Sequence, residues 1–427
     1  MIEPKFEASV GMSRKWDARE AGREVAETAI KNLSRPPDFF LLFSTIHYEK
    51  YGGFQEFLNG VWDVLPEGTP LIGGTVAGFT NPQGCYTRGA TALAVSYSNI
   101  DVAVGVGNNT RKNPKKAADE CSKSIIAQLA ESNYPTKLLI DIIPGPTMPS
   151  FPGVGSHWVI SNPLVARVAP KLLEMSVKKF QLGQGLEDDV IEYLAEDLKD
   201  HIIFGGSSSD DNKLVTNYQF VGMEIKKHSL LGMGLSTDLK FNYAHTDGLS
   251  PTGIKFKITK TSQGSRIIKS LEGKSASDTF FRKIGIPLEL LDDRILRTTF
   301  FYPLGFYSSD GRICPNAIGC VLKNYLALNY SIKGDYIELF KASGKTLIGA
   351  VNEAIELLPI KNPKFGFIIS CLARLEALGI GVFKEKEILD NYFKNSPYLL
   401  VYMGGENTSF PNENPHHYNE TFNILVA

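Results

Sequence analysis

Phe365-Gly366-Phe367-Ile368-Ile369-Ser370-Cys371, a helical segment over roughly Glu385 to Asn395, and Tyr398-Leu399-Leu400-Val401-Tyr402-Met403-Gly404-Gly405-Glu406-Asn407 decide how this chain is read. A short apolar run closed by turn residues reads as a strand buried on both faces. Two such strands joined by a helix form a right-handed crossover with parallel strands. Ligands of open α/β sheets gather beyond the carboxyl ends of such strands. Here those ends carry Cys371, Arg374, Gly404, Gly405 and Glu406: a thiol, a guanidinium, bare glycines and a carboxylate.

The layout recurs upstream. Phe39-Phe40-Leu41-Leu42-Phe43-Ser44, a helix over about Phe54 to Leu65, and Leu71-Ile72-Gly73-Gly74-Thr75 repeat it. A looser copy runs from Lys137-Leu138-Leu139-Ile140-Asp141-Ile142-Ile143 through a Pro/Gly-rich insertion, Pro144 to Gly155, and a helix over about Leu186 to Leu198. It ends on Ile202-Ile203-Phe204-Gly205-Gly206-Ser207, so three strand ends share a Gly-Gly. After the first two, Ala90 to Gly107 and Gln219 to Tyr243 each read as a strand pair, the second turning near Lys227-His228. Asp17 and Asn113-Pro114 open helices, Ser343 to Leu358 is another, Gly248 to Lys260 resembles a strand pair, and Gly264 to Leu291 reads as helical. The expected fold class is α/β: layered mixed sheets with flanking helices, built from duplicated strand-helix-strand units, in two domains, 1–246 and 247–427.

Composition narrows the function classes. Of 427 residues, 43% are hydrophobic and 21% charged, ordinary for a globular protein and long enough for two or three domains. Net charge is −1 with Lys and Arg scattered, so no nucleic-acid or anionic-membrane footprint is expected. No signal peptide is expected from Met1-Ile2-Glu3-Pro4-Lys5, and no apolar run approaches the roughly 20 residues of a membrane helix. Five cysteines without a C-x-x-C pair fit a reducing, cytoplasmic compartment. No cofactor and no metal are expected.

The order Leu71-Ile72-Gly73-Gly74-Thr75, Phe204-Gly205-Gly206-Ser207-Ser208-Ser209-Asp210-Asp211, His245-Thr246-Asp247-Gly248, Ser370-Cys371-Leu372-Ala373-Arg374, Gly405-Glu406 and Asn419-Glu420-Thr421 resembles the FIST (F-box and intracellular signal transduction) sensor family, amino- and carboxy-terminal parts together. The resemblance spans nearly the whole chain. It implies a cytoplasmic domain that senses small molecules, amino acids being the usual suggestion. Two departures stand out: Tyr418 occupies the place of an expected His before the Asn-x-Thr motif, and the segment from Pro144 to Trp158 is unusual. With the first helix expected from Asp17 and the chain closing at Ala427, no F-box or output module is expected within this sequence. Any output would pass to a separate protein partner.

Arg374 offers the planar forked donors that suit a ligand carboxylate, and Glu406 could receive an ammonium, the minimal kit for a zwitterion. The competing reading is that the two pair with each other and fix their loops. Gly73, Gly74, Gly205, Gly206, Gly404 and Gly405 would let backbone N–H groups approach a ligand. Ser207 and Asp210 add polar groups, although serine-rich turns commonly cap the next element. No phosphate-loop motif follows a strand. Cys371 could gain thiolate character at a helix start, with His416 or His417 as a distant base; free cysteines are more often buried apolar residues. His416-His417 with acids could hold a metal, but adjacent histidines point apart. Phe300, Phe301, Tyr302, Phe306 and Tyr307 could line a pocket or pack a core. The function expected is binding of a small polar metabolite, with Arg374, Glu406 and Asn419 as contacts in one solvent-reachable hollow. The alternatives are a thiol hydrolase or transferase using Cys371, and an interaction scaffold without a ligand.

Overall fold

The computed structural model describes residues 5–148, 158–262, 264–411 and 413–427; most of the Pro144–Gly155 insertion lies outside them. The recurring layout is present three times. The first copy contains β1 (Phe6–Ser13), α1 (Ala18–Ile30), β2 (Phe39–Ser44), α2 (Phe54–Trp62), β3 (Leu71–Thr75), the hairpin β4 (Gly78–Asn81) and β5 (Gly84–Tyr86), and β6 (Ala90–Tyr97). The second contains β7 (Ile100–Asn108), α3 (Pro114–Gln128) and β8 (Thr136–Pro144), then the added β9 (Val159–Ile160) and α4 (Pro163–Met175). It continues with α5 (Glu187–Asp197), β10 (Ile202–Ser208), the hairpin β11 (Gln219–Val221) and β12 (Glu224–Lys226), and β13 (Ser229–Thr237).

The third copy opens with β14 (Asn242–Thr246) and is interrupted by a module of β15 (Ser250–Ser262), β16 (Ile267–Leu271), β17 (Lys274–Ser275), α6 (Ala276–Lys283), α7 (Asp293–Leu296), β18 (Leu304–Tyr307), β19 (Ile313–Asn316), β20 (Ile318–Leu322), β21 (Tyr325–Leu328) and β22 (Tyr336–Lys341). It resumes with α8 (Gly344–Leu357), β23 (Gly366–Cys371), α9 (Leu372–Leu378), α10 (Val382–Phe393), β24 (Tyr398–Met403), the hairpin β25 (Glu406–Ser409) and β26 (His416–Tyr418), and β27 (Phe422–Val426).

Three six-stranded sheets follow one pattern: β1-β6-β2-β3-β11-β12, β7-β13-β8-β10-β25-β26 and β14-β27-β23-β24-β4-β5. Each contains the predicted parallel crossover pair, β2–β3, β8–β10 and β23–β24. Each is completed by a hairpin from another copy, so the first copy serves the third sheet, the second the first, and the third the second. Backbone bonds close the ring: Ser209 N–H donates to Thr75 O at 2.8 Å, Gly404 N–H to Ser207 O at 2.8 Å, and Ala77 N–H to Tyr402 O at 3.0 Å. These bonds put Thr75, Ser207 and Tyr402 in equivalent places. Gly73-Gly74 and Gly205-Gly206 therefore correspond, but Leu400-Val401 stands in their place in the third copy. Gly404-Gly405 lies four residues farther on, so the third Gly-Gly matches in letters and not in position.

The apolar runs are buried on both faces because each sheet is a wall between two cores. Phe39, Leu41 and Phe43 point into a central core with Leu138, Ile140, Ile142, Phe367, Ile369 and Val401, while Phe40 and Leu42 pack outward with Val25 and Phe57 of the helices. Phe43 and Phe204 contact Phe367 across the centre with ring centroids 5.8 and 5.9 Å apart. Similar outer cores lie under α3 and α5 and under α8 and α10. The interrupting module has its own core around Phe256, Phe280, Leu304 and Leu339, which Trp158 joins.

Local signals fare well at helix starts. Asp17 and Asn113 accept first-turn N–H groups, and Ser343 forms a capping box with Thr346. Three expectations need correction. The strands on either side of Asn99, and likewise those on either side of Lys227-His228, belong to different sheets rather than to one pair. Instead of a strand pair over 248–260, Ser250–Ser262 form one long strand, irregular between Pro251 and Ile254. Only Ala276–Lys283 and Asp293–Leu296 are α-helical near 264–296, because Ile267, Ile268 and Leu271 are buried in β16 and Glu272-Gly273 turns with positive φ.

Candidate functional site

The carboxyl ends of the parallel strands do converge, but not on the expected hollow. Arg374, in the first turn of α9, is 1% exposed. Its Nη2 donates to Leu347 O at 2.9 Å, Nη1 to Asp247 O at 3.0 Å and Nε to Ser370 Oγ at 3.2 Å. Its ion partner is the buried Glu385, 3.6 Å away, not Glu406. Burial raises the Glu385 carboxyl, and the Arg374 charge opposes that rise.

Glu406 is sealed as well. Its Oε2 accepts from Thr421 N–H at 3.2 Å and from Thr421 Oγ at 2.7 Å, while Oε1 has no partner. Burial pushes its carboxyl up to about 8. Ring equivalence matches Glu406, paired with Gly206, to Gln219, paired with Gly74. Gln219 Oε1 accepts from Ser229 N–H at 3.4 Å, so a neutral amide does the same work there. The expectation that Arg374 and Glu406 share a solvent-reachable hollow is thus not met.

A pH prediction follows from the Glu406 geometry. Its carboxyl titrates at about 8 when folded against 4.5 for a free glutamate. A raised folded value means its contribution is fully present below about pH 4.5 and is lost as pH climbs through 8. Glu406→Gln should fold normally and flatten the decline in stability between pH 5 and 8, where one such group contributes up to about 1.4 kcal/mol per pH unit. Urea midpoints at pH 5, 6.5 and 8 would show it; parallel curves for both proteins would refute it.

Most of the glycines serve chain-to-chain packing. A Cβ on Gly73 would collide with the Leu42 carbonyl, on Gly205 with Asp141, on Gly74 with Tyr218 O, on Gly206 with Gly405 O, and on Gly405 with the His417 ring. Only Gly404 has ordinary room, with Ser207 O 3.5 Å from where its Cβ would stand. Asp210 caps its own turn, accepting N–H bonds from Lys213, Leu214 and Val215 at 2.7–2.9 Å. Ser207 Oγ reaches Glu187 Oε1 at 3.5 Å.

Cys371, Gly404 and Asn419 do come together. They line a small void of about 40 Å³ with Trp158, Asn212 and Asn329, between the strand ends and the module. Asn419 Oδ1 accepts from Ala317 N–H at 3.2 Å and Asn329 Nδ2 at 3.3 Å. Burial, with the Glu406 charge adding to it, holds the Cys371 thiol well above its ordinary value. His417 Nδ1 is bonded to Asn407 Oδ1 at 2.7 Å, and His416 lies 3.5 Å from Asp310, so neither histidine is engaged with that thiol. A thiol that burial keeps protonated is a poor nucleophile. No group of three or more His, Cys, Asp and Glu side chains suited to a metal occurs among the described residues.

A second, open feature was not legible in sequence. A cleft of about 880 Å³ runs between α5, the β18–β19 hairpin and the loop before β26. Tyr307 and Phe306 line it, and Phe300 lines the smaller void, so the aromatic run reaches both. Lys333 pairs with Glu192 at 2.6 Å, and Asp188 is held by Arg266 at 2.5 Å. Glu196, Lys199 and Asp200 line the cleft exposed and carry no ion pair among the described residues.

A profile of the FIST N domain matches residues 38–274, more than half of the chain. The chain belongs to the FIST family. FIST membership carries a small-ligand sensing role in signalling at family level. The FIST match includes α5, Trp158, Asn212 and both matched Gly-Gly pairs. Comparison with curated proteins gives no match. Among solved structures this FIST chain is similar to cyanuric acid hydrolase from A. caulinodans, at 8% identity and TM-score 0.35 over 99% of this chain and 98% of that one. It is also similar to PurLQS from Thermotoga maritima, at 10% identity and TM-score 0.19 over 99% and 72%. Both likenesses are too distant to bear on activity. No helix among the described residues is long and apolar enough to cross a membrane.

Proposed function

We propose that this FIST protein is a cytoplasmic sensor of a small polar metabolite, an amino acid or similar zwitterion, that reports occupancy to a separate protein partner. The observation that carries this reading is the 880 Å³ cleft, within the size range of small-molecule sites. Its walls come from α5 on one side of the proposed 246/247 division and from β18, β19 and the β25–β26 loop on the other. Lys199 offers a cation for a ligand carboxylate, and Glu196 and Asp200 offer anions for an ammonium. This takes over the roles first expected of Arg374 and Glu406. A ligand touching both walls would draw the module toward α5, a change of relative position that a partner can read.

The test is a thermal-shift screen of amino acids and related zwitterions on ligand-free protein. A ligand at 100 times its Kd should stabilise the fold by about 2.7 kcal/mol. Lys199→Glu and Tyr307→Ala should each remove the response without lowering the unliganded Tm. A flat response across the set, or a response indifferent to both substitutions, would count against the cleft as the sensing site.

A further inference from the structure

The void of about 40 Å³ under Trp158 has hydrogen-bond donors that no atom of the described residues takes up. Trp158 and Asn212 both line it, at 6% and 4% exposure, and the indole Nε1 and the amide Nδ2 are each buried without a partner. Native interiors leave few such groups unpaired. An indole N–H can only donate. The Asn419 Oδ1 on the same wall already receives two donors, from Ala317 and Asn329. No Asp or Glu among the described residues lines the void.

One guanidinium touches both residues that carry the orphan donors. The Arg297 guanidinium lies 5.2 Å over the Trp158 ring, and its Nη2 donates to the Asn212 carbonyl at 3.3 Å. Glu376 shares that guanidinium from the solvent side at 3.4 Å. Burial raises the nearby Glu406 carboxyl to about 8, so it adds little negative charge at neutral pH. A water needs roughly 10–15 Å³ of such space, so the void holds about three water-sized atoms.

We propose that this void is a binding subsite for a small carboxylate whose oxygens accept from Trp158 Nε1–H and Asn212 Nδ2–H. An ammonium would need acceptors where the wall has unused donors. A water could accept both bonds, but the Asn419 Oδ1 on the wall is already engaged and offers it no free acceptor in return. The subsite is separate from the cleft, and its occupancy does not depend on the cleft being a sensor site.

The full chain contains three tryptophans, Trp16, Trp62 and Trp158, so their indole N–H resonances can be followed after ¹⁵N-tryptophan labelling, with Trp158→Phe assigning the third. Sodium formate, a three-heavy-atom carboxylate, should bind no tighter than the millimolar range. The Trp158 resonance should move saturably with formate, and those of Trp16 and Trp62 should stay fixed. Methylammonium chloride and sodium chloride at equal ionic strength should leave all three in place. Asn212→Leu should weaken formate about tenfold, the loss of one good hydrogen bond. Lys199→Glu, which alters only the cleft, should leave the formate response intact. A Trp158 signal unmoved by formate up to about 100 mM, or moved alike by methylammonium or chloride, would overturn the proposal in the wild-type protein alone; undiminished affinity in a folded Asn212→Leu variant would do so too.

Discussion

Gly73→Ala is expected to leave little folded protein. The new methyl group would stand inside the contact distance of the Leu42 carbonyl, on the neighbouring strand of the parallel β2–β3 pair. The obstacle is backbone on both sides, within a sheet buried on both faces, so no rotamer change relieves it. A cost of at least about 3 kcal/mol is expected, at the upper end for overpacking. Gly205→Ala should behave alike, since it meets Asp141 in the equivalent pair. Gly404→Ala is the control: the nearest neighbour lies 3.5 Å from the place its new methyl group would take, and its Tm should stay within a few degrees of wild type. Chemical denaturation of the three variants decides the matter, and a wild-type midpoint for Gly73→Ala would refute the packing account.

Arg374→Met should also be severe, by a different route. Methionine fills much of the volume but leaves the carbonyls of Leu347 and Asp247 and the Ser370 hydroxyl without their donor. Glu385 would remain fully buried with only the Tyr402 hydroxyl, 2.5 Å away, to meet its charge. Removing one member of a buried ionic network costs about 3–5 kcal/mol. Burial already raises the Glu385 carboxyl, and loss of the cation raises it further. The variant should therefore be least destabilised at low pH, where Glu385 is neutral, and lose more ground as pH rises. Arg374→Met combined with Glu385→Gln should recover part of the loss at pH 8. A single variant with unchanged thermal midpoint and pH profile would mean that the arginine is not the organiser its contacts suggest.

The strands of the ring are readable in sequence because each is a wall between two apolar layers, which removes the polar alternation and leaves runs such as Phe39–Phe43 and Leu399–Val401. The inward and outward faces cannot be told apart for the same reason. Exchange of hairpins is invisible there, since Gly78 pairs with Tyr402 and Glu406 with Gly206 across separations that leave no periodic trace. Residues 264–275 read as helix because Lys269, Glu272 and Lys274 mask a short pair of strands with charge. At the site, composition names a cation and an anion on adjacent loops but cannot report that Arg374 spends its donors on carbonyls. Trp158 and Asn212 carry no motif; what marks them is the absence of a partner, which only the folded chain reveals. The cleft is assembled from three distant segments, of which His416-His417 and the aromatic run stand out in sequence for other reasons.

The cyclic exchange of hairpins has a consequence for synthesis on the ribosome. The last of these strands in chain order, β25 to β27, supply edge strands to the second sheet and a central strand to the third. Until it is released, both sheets present open hydrogen-bonding edges, and β4–β5 waits for β24. Nascent chains of this protein should therefore stay protease-sensitive until the third copy is complete, and depend on holding chaperones far longer than a protein whose domains mature one after another.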